Sequence, residues 1–212
     1  MSIGSRPAAH PAHDPAAGPF GDWLDRLAAP VPDPGGGAAA GVVIAIGAAL
    51  VSMTAGYAAG SPEREGIVGA AAQARAQALQ AAAEDAEMSA TLVAAFRQPT
   101  SDPSRSARIL AASLEAAIAS ERLAQIAAAL LEPLRWLQRC GEPRLAPDVA
   151  VAARMLACGM RAAAVNLRCD ATSAADAGAS VADIAQLRAA QARTCDIAGE
   201  LEALAGDVTQ TL

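Results

Sequence analysis

The sequence predicts an all-α protein: a single-domain antiparallel helical bundle that dimerises through a glycine-led apolar helix. Alanine is the commonest residue and aromatic residues make up only 2% of the chain, and small side chains allow helix axes to approach closely. No stretch alternates apolar and polar residues as a half-buried strand would. The 212 residues are enough for one domain with a hydrophobic core.

The chain begins with a segment that we expect to be a flexible tail. Residues 1–18 are rich in proline and alanine and have no apolar core of the kind that a secretory signal needs. We therefore expect one helical domain over residues 19–212. Its first helix is predicted from Phe20, Trp23, Leu24 and Leu27, which are spaced along one face of a short amphipathic helix.

The most unusual segment, DPGGGAAAGVVIAIGAALVSMTAGYAAG, covers residues 33–60 and carries no charge after Asp33. Its length would allow it to cross a bilayer, but it lacks the flanking arginine and aromatic anchors of a membrane span. A helix that is apolar on every side must be buried on every side. We therefore predict a buried helix over residues 37–60, covered in part by a second subunit, and keep a membrane span as the alternative.

Four further helical stretches follow. Ser61 and Pro62 are typical of a helix start, and this helix should run to about Gln98. The next, over residues 104–139, should be kinked or divided at Pro133. The last two are predicted over residues 148–169 and 180–206.

Two carboxylates are candidates for chemistry. Asp85 lies on the apolar seam of its predicted helix, and a buried carboxylate is costly unless it is paired or functional. Its alternative role is an ion pair with Arg154 or Arg161. Asp148 follows a proline at a predicted helix start, where it could be an ordinary N-cap or a functional group.

Two further features could bind a ligand. The turn formed by Asp33, Pro34, Gly35, Gly36 and Gly37 precedes a helix. Its free N–H groups and the positive helix end suit an anion or a polar ring edge, although glycines also serve close helix packing. Asn166 lies in an apolar stretch and needs hydrogen-bond partners, which a neighbouring helix or a ligand could supply.

Composition argues against several classes of function. The net charge is −6 and the chain has no lysine, so we expect no nucleic-acid partner. The four cysteines form no CxxC pair and the two histidines lie in the tail, so we expect no metal site. We expect reduced thiols in the core of a cytoplasmic protein, and any catalysis must depend on carboxylates, amides and backbone groups.

The order of these motifs resembles the formiminotransferase-cyclodeaminase C-terminal domain family, whose single-domain bacterial members include methenyltetrahydrofolate cyclohydrolases. PFGDWLDRLAAPVPDPGGGAAAGVVIAIGAALVSM is similar to the opening of that family. DAEMSATLVAAFRQP keeps the Asp85 motif, GEPRLAPDVAVA keeps Gly141 and Asp148, and NLRCD keeps Asn166 of a pair of asparagines.

The resemblance implies a homodimer with its active site in a cleft near the subunit interface. The substrate would be a tetrahydrofolate derivative lying against the glycine turn, without a metal. The implied reaction is hydrolysis of 5,10-methenyltetrahydrofolate to 10-formyltetrahydrofolate or deamination of 5-formiminotetrahydrofolate. Asp85 and Asp148 would be catalytic, and residues 33–37 with Asn166 would bind the substrate.

The sequence also departs from the family pattern. The segment GYAAGSPER lacks the asparagine, threonine and lysines that family members carry after the glycine-led helix, and GEPR replaces a motif with two asparagines. These losses favour an alternative: a non-catalytic or repurposed helical dimer of the same fold that has lost folate chemistry.

Overall fold

The computed structural model describes residues 19–31, 34–58 and 60–211, and across these ranges it contains helices and no strand. The prediction of an all-α bundle is confirmed, whereas the predicted tail over residues 1–18 lies outside the described residues. The helices are α1 (Pro19–Ala28), α2 (Gly36–Gly56), α3 (Arg64–Phe96), α4 (Arg105–Ala128), α5 (Leu131–Cys140), α6 (Ala146–Asp176) and α7 (Val181–Gln210).

Helices α2, α3, α4 and α6 form an antiparallel four-helix arrangement, with α7 packed along α6. The antiparallel direction of α2 and α6 follows from their contacts, since Gly36 lies near Asn166, Ile44 near Gly159 and Gly47 near Leu156. Large aliphatic side chains fill the centre of the bundle, and those with almost no exposed surface are Ile44, Val51, Leu130, Leu134, Leu156, Met160, Leu167 and Leu201.

Glycines allow α2 to approach both of its neighbours closely. A Cβ atom on Gly41 would lie 2.8 Å from the Cβ atom of Ala82 on α3, and one on Gly47 would lie 2.8 Å from Cγ of Leu156 on α6. Thr54 is buried in the same helix, and its hydroxyl donates to the Leu50 carbonyl at 2.9 Å, which satisfies the polar group within the helix itself.

One face of α2 is not covered by the described residues of its own chain. Ile46, Met53 and Tyr57 are exposed on it, at intervals of seven and four residues, which place them along one side of the helix. The helix is long and apolar enough to cross a membrane, and more than half of its most apolar window is buried inside the protein. The prediction of a buried helix is therefore confirmed for most of its surface, and the uncovered face is what a second subunit would have to cover.

Several predicted helix boundaries need correction. Helix α3 begins at Arg64, because Ser61 is not its N-cap and instead exchanges hydrogen bonds with Glu63 in the preceding turn. The stretch over residues 104–139 is divided as predicted, with α4 ending at Ala128 and α5 beginning at Leu131. Pro133 explains the break, since its ring would clash with the carbonyl of residue 129 in a continuous helix.

The sixth helix is longer than predicted and ends at Asp176 rather than near residue 169. Gly178 closes it with a positive φ of 97°, and the Ala179 amide donates to the Ala174 carbonyl at 2.9 Å. This pattern is a glycine C-cap of the Schellman type. The segment 170–176 contains no glycine or proline, so nothing in it ends the helix earlier.

The four cysteines are not core residues, which corrects the prediction from composition. Cys140, Cys158 and Cys169 are exposed, Cys195 is half-buried, and all four are free thiols. Cysteine is often buried, but here most of the buried core residues are alanine and leucine.

Candidate functional site

The site begins where the first turn of α2 meets the middle of α3. The Ala38 amide donates a hydrogen bond to Oδ2 of Asp85 at 3.1 Å. A Cβ atom on Gly37 would lie 2.5 Å from Cγ of Asp85. Asp85 therefore lies against the glycine turn as expected, and the contact requires glycine at position 37.

This contact changes the interpretation of the glycine turn. The first N–H groups of a helix have no partner within the helix and carry partial positive charge. Here the Ala38 N–H is engaged by the Asp85 carboxylate of the protein itself. The turn therefore positions the Asp85 carboxylate in the lining of a cavity. Any other free N–H groups of the turn can still bind a ligand.

A cavity of about 160 Å³ opens beside Asp85 between α2, α3, α4 and α6. Its described lining combines carboxylate, amide and hydroxyl groups with a few apolar side chains, and contains neither arginine nor histidine. The residues that line it are Gly36, Gly37, Asp85, Met88, Ser89, Leu92, Ala116, Ser120, Asn166, Cys169 and Asp170.

Asp170 is a second carboxyl group in this cavity and was not identified from the sequence. It is only 9% exposed. Burial, together with the nearby charge of Asp85, raises the pKa of Asp170 from 3.8 to about 7. An acid with a pKa near neutrality can both donate and accept a proton under physiological conditions, and such groups are concentrated at functional sites.

Asn166 lies in the same cavity, one helical turn before Asp170 on α6. A Cβ atom on Gly36 would lie 3.9 Å from Oδ1 of Asn166, so the amide faces the start of α2. The spacing of four residues places Asn166 and Asp170 on the same face of the helix. The structure thus brings Gly36, Gly37, Asp85 and Asn166 of the predicted set together.

Asp148 is not part of this cavity within one chain. It lies in the first turn of α6, and a helix rises 1.5 Å per residue, so the 18 residues between Asp148 and Asn166 span roughly 27 Å. Its N-cap alternative also needs correction, because Leu145 occupies the N-cap position and no side chain caps the helix. A role for Asp148 in the chemistry stays a prediction.

The remaining predicted groups are placed as follows. Pro34 is buried and Gly35 half-buried just before α2, outside the cavity lining, while Asp33 lies outside the described residues. Arg161, one of the two arginines considered as an ion-pair partner of Asp85, instead binds Glu202 through two hydrogen bonds of 3.0 and 3.1 Å. The described residues include no group of three or more histidine, cysteine, aspartate or glutamate side chains that could hold a metal ion.

Both the sequence and the fold are similar to those of known proteins. A family model described as formiminotransferase-cyclodeaminase matches residues 19–187. Among solved structures, formiminotetrahydrofolate cyclodeaminase from Thermotoga maritima is similar in fold, with a TM-score of 0.75 at 23% sequence identity, covering 91% of this chain and 94% of that chain. A search of curated proteins found no match.

Proposed function

The chain belongs to the formiminotransferase-cyclodeaminase family, and from that premise we propose that it acts on a one-carbon adduct of tetrahydrofolate. The reaction would be hydrolysis of 5,10-methenyltetrahydrofolate to 10-formyltetrahydrofolate or deamination of 5-formiminotetrahydrofolate. Both reactions proceed at a carbon atom bonded to two nitrogens, which carries delocalised positive charge.

The observation that supports this proposal most strongly is the position of Asp85. Its carboxylate accepts from the Ala38 N–H at 3.1 Å and lines a cavity whose described lining has acidic but no basic side chains. A carboxylate in a partly desolvated pocket attracts a cationic carbon more strongly than it would in water. It can also take a proton from an attacking water molecule.

In methenyl hydrolysis, the oxygen of water forms a bond to the methenyl carbon, and the π electrons of the C=N bond move onto nitrogen. Asp85 accepts a proton as this C–O bond forms. Asn166 faces the start of α2 across the cavity, and its amide can orient the water or the pterin edge. The folate ring would lie beside Gly36, where the absence of a side chain leaves room, and against Asp85, which fills the space next to Gly37.

We also propose that the functional unit is a homodimer in the cytoplasm. The exposed apolar face of α2, formed by Ile46, Met53 and Tyr57, is the surface that a second copy would cover. An exposed stripe of large apolar and aromatic side chains is typical of a subunit interface. The free thiols are compatible with a reducing compartment.

A second candidate, a repurposed helical dimer without folate chemistry, is favoured by one feature of the sequence. The chain has no lysine, and the segment after α2 lacks the polar residues found there in the family. Such a protein would retain the bundle and the carboxylate cavity but bind a different cation.

A calorimetric titration separates the two candidates. We expect the wild type to bind 5,10-methenyltetrahydrofolate and tetrahydrofolate, and Gly37→Ala to weaken binding of the methenyl compound at least about tenfold, since displacing Asp85 removes its charge from the cation. Gly69→Ala is the matched control, because a Cβ atom there meets nothing within 4 Å. Absence of binding by the wild type would favour the repurposed dimer, and ammonia release from 5-formiminotetrahydrofolate would distinguish deamination from hydrolysis.

A further inference from the structure

The cavity contains two carboxyl groups with different surroundings. Asp85 is half-buried and accepts a hydrogen bond from the Ala38 N–H at the positive end of α2. Asp170 is buried in about the seventh turn of α6, far from the positive end of its own helix at Ala146. The environment therefore favours negative charge on Asp85 and disfavours it on Asp170.

We propose that Asp85 and Asp170 form a carboxyl pair that holds one proton, carried by Asp170, and that this proton is available to a ligand in the cavity. The inference deepens the proposed function and rests on it for the identity of the ligand. Two carboxylates in one small cavity repel each other, so such a pair retains a proton at a pH where isolated acids have lost theirs.

The described lining of the cavity gives this pair few other titratable neighbours. Among the described residues that line the cavity, the only other titratable side chain is Cys169, on α6 beside Asp170. Helix α2 contributes only Gly36 and Gly37 to this lining, and α4 contributes only Ala116 and Ser120, none of which titrates. No described residue of α7 lines the cavity. Burial and the Asp85 charge together raise the pKa of Asp170 to about 7, which agrees with this geometry.

The pair supplies what the proposed hydrolysis requires. Asp85 takes a proton from water as the C–O bond forms. When the carbonyl forms, the hydroxyl passes its proton to solvent water and the bond from carbon to N5 breaks, with its electron pair moving to nitrogen. The proton of Asp170 then goes to N5. The proton that Asp85 took restores the protonated Asp170 after that acid has given its own proton away. Two protons leave the water molecule and one is delivered to N5, so one net proton is released, as the loss of the methenyl positive charge requires.

The first test does not depend on folate. Carboxyl ¹³C signals of aspartate-labelled protein are followed by NMR from pH 3 to 9. The Asp170 signal is assigned by its absence in Asp170→Asn, or in Asp170→Ser should the first variant not fold. We expect a midpoint near 7 in the wild type and a lower midpoint in Asp85→Asn, where the neighbouring charge is removed. An Asp170 midpoint near 4 in the wild type would overturn the proposal.

The second test is the pH dependence of turnover with 5,10-methenyltetrahydrofolate. We expect the wild-type kcat to fall above about pH 7, as Asp170 loses its proton. Asp170→Asn should lower kcat at pH 6 on the order of 10²-fold, the usual contribution of a positioned acid, with little change in KM and without this pH limb. The matched control Asp176→Asn, on the exposed last turn of α6, should behave as wild type.

The NMR test and the turnover test address different claims, so each can give a negative result independently of the other. An Asp170→Asn variant that keeps both the wild-type kcat and the pH limb would overturn the role of the proton. A wild type with no turnover would contradict the proposed function, and the NMR midpoint would still decide whether the pair holds a proton.

Discussion

Gly37 and Asp85 are in such close contact that no side chain fits between them. A Cβ atom on Gly37 would lie 2.5 Å from Cγ of Asp85 and closer still to its Oδ1, while the next residue, Ala38, donates its N–H to Oδ2. The glycine is therefore part of the acid site, because it lets the positive end of α2 reach the carboxylate. This one contact joins the two motifs that the sequence analysis had identified independently.

Replacing Gly37 with alanine should damage both stability and function. The added methyl must push Asp85 away or shift α2, and overpacking of this kind costs roughly 1–3 kcal/mol. A displacement of the acid by about 1 Å can lower turnover on the order of 10²-fold. Urea unfolding and kcat measure the two effects.

Gly69→Ala is the control for this substitution. Gly69 lies inside α3 with no atom within 4 Å of an added Cβ, so alanine should stabilise the helix by up to about 1 kcal/mol and leave turnover unchanged. Equal free energies of unfolding and equal kcat values for the two variants would show that the contact between Gly37 and Asp85 contributes to neither stability nor turnover.

The buried acid predicts a specific dependence of stability on pH. The pKa of Asp170 is raised in the folded state from 3.8 to about 7, so between these values the folded protein binds a proton that the unfolded chain has lost. Stability contributed by this group is complete below pH 3.8 and is lost as the pH rises through about 7.

Asp170→Asn should remove this pH dependence. Relative to the wild type, the variant should gain free energy of unfolding between pH 4 and 8, by at most about 4 kcal/mol for a shift of about three pKa units. Denaturant unfolding at pH 4, 6 and 8 measures the difference between the two proteins. A constant difference over this range would contradict the raised pKa.

The uncovered face of α2 predicts a dimer that one charge can disrupt. Ile46 is 42% exposed on this face, and a glutamate there would have to be desolvated in the interface. We expect a dimer for the wild type and a monomer for Ile46→Glu by light scattering at micromolar concentration. Val181→Glu is the control, since Val181 is exposed at the start of α7. A monomeric wild type would refute the dimer.

Asp148 should matter less than Asp85. It lies in the first turn of α6, where a negative charge is favoured by the helix dipole. Its replacement by asparagine should therefore cost about 0.3–1 kcal/mol of stability and change kcat little if each active site is built from one chain. A loss of turnover comparable to that of Asp85→Asn would show that Asp148 acts in the site, which would require a contribution from the second subunit.

Helix periodicity was enough to place Asp85 correctly. The seam from Ile67 through Ala78 to Ala82 is buried in the structure, and continuing it by three residues reaches Asp85. The division at Pro133 was predicted from the proline itself, which acts on the local backbone. These features depend on neighbours along the chain, and the sequence contains that information directly.

Asp170 was missed because its significance depends on contacts across the bundle. The predicted helix stopped at residue 169, so Asp170 fell outside it, and comparison with the family motif retained only Asn166. A signal was available: residues four apart share a helix face, and extending the helix to the glycine at position 178 places Asp170 beside Asn166. That an opposing helix brings Asp85 to the same cavity could not be deduced from either segment alone.

The central claim is that the carboxylate of Asp85 performs the chemistry of this cavity, and the most direct measurement is kcat for 5,10-methenyltetrahydrofolate with wild type and Asp85→Asn. Asparagine has nearly the same size and can still accept from the Ala38 N–H, but it cannot carry charge or take a proton. We predict measurable wild-type turnover above the uncatalysed rate and a loss of kcat on the order of 10²-fold or more in the variant, with an unchanged circular dichroism spectrum. Equal turnover by the two folded proteins would contradict the assignment of Asp85.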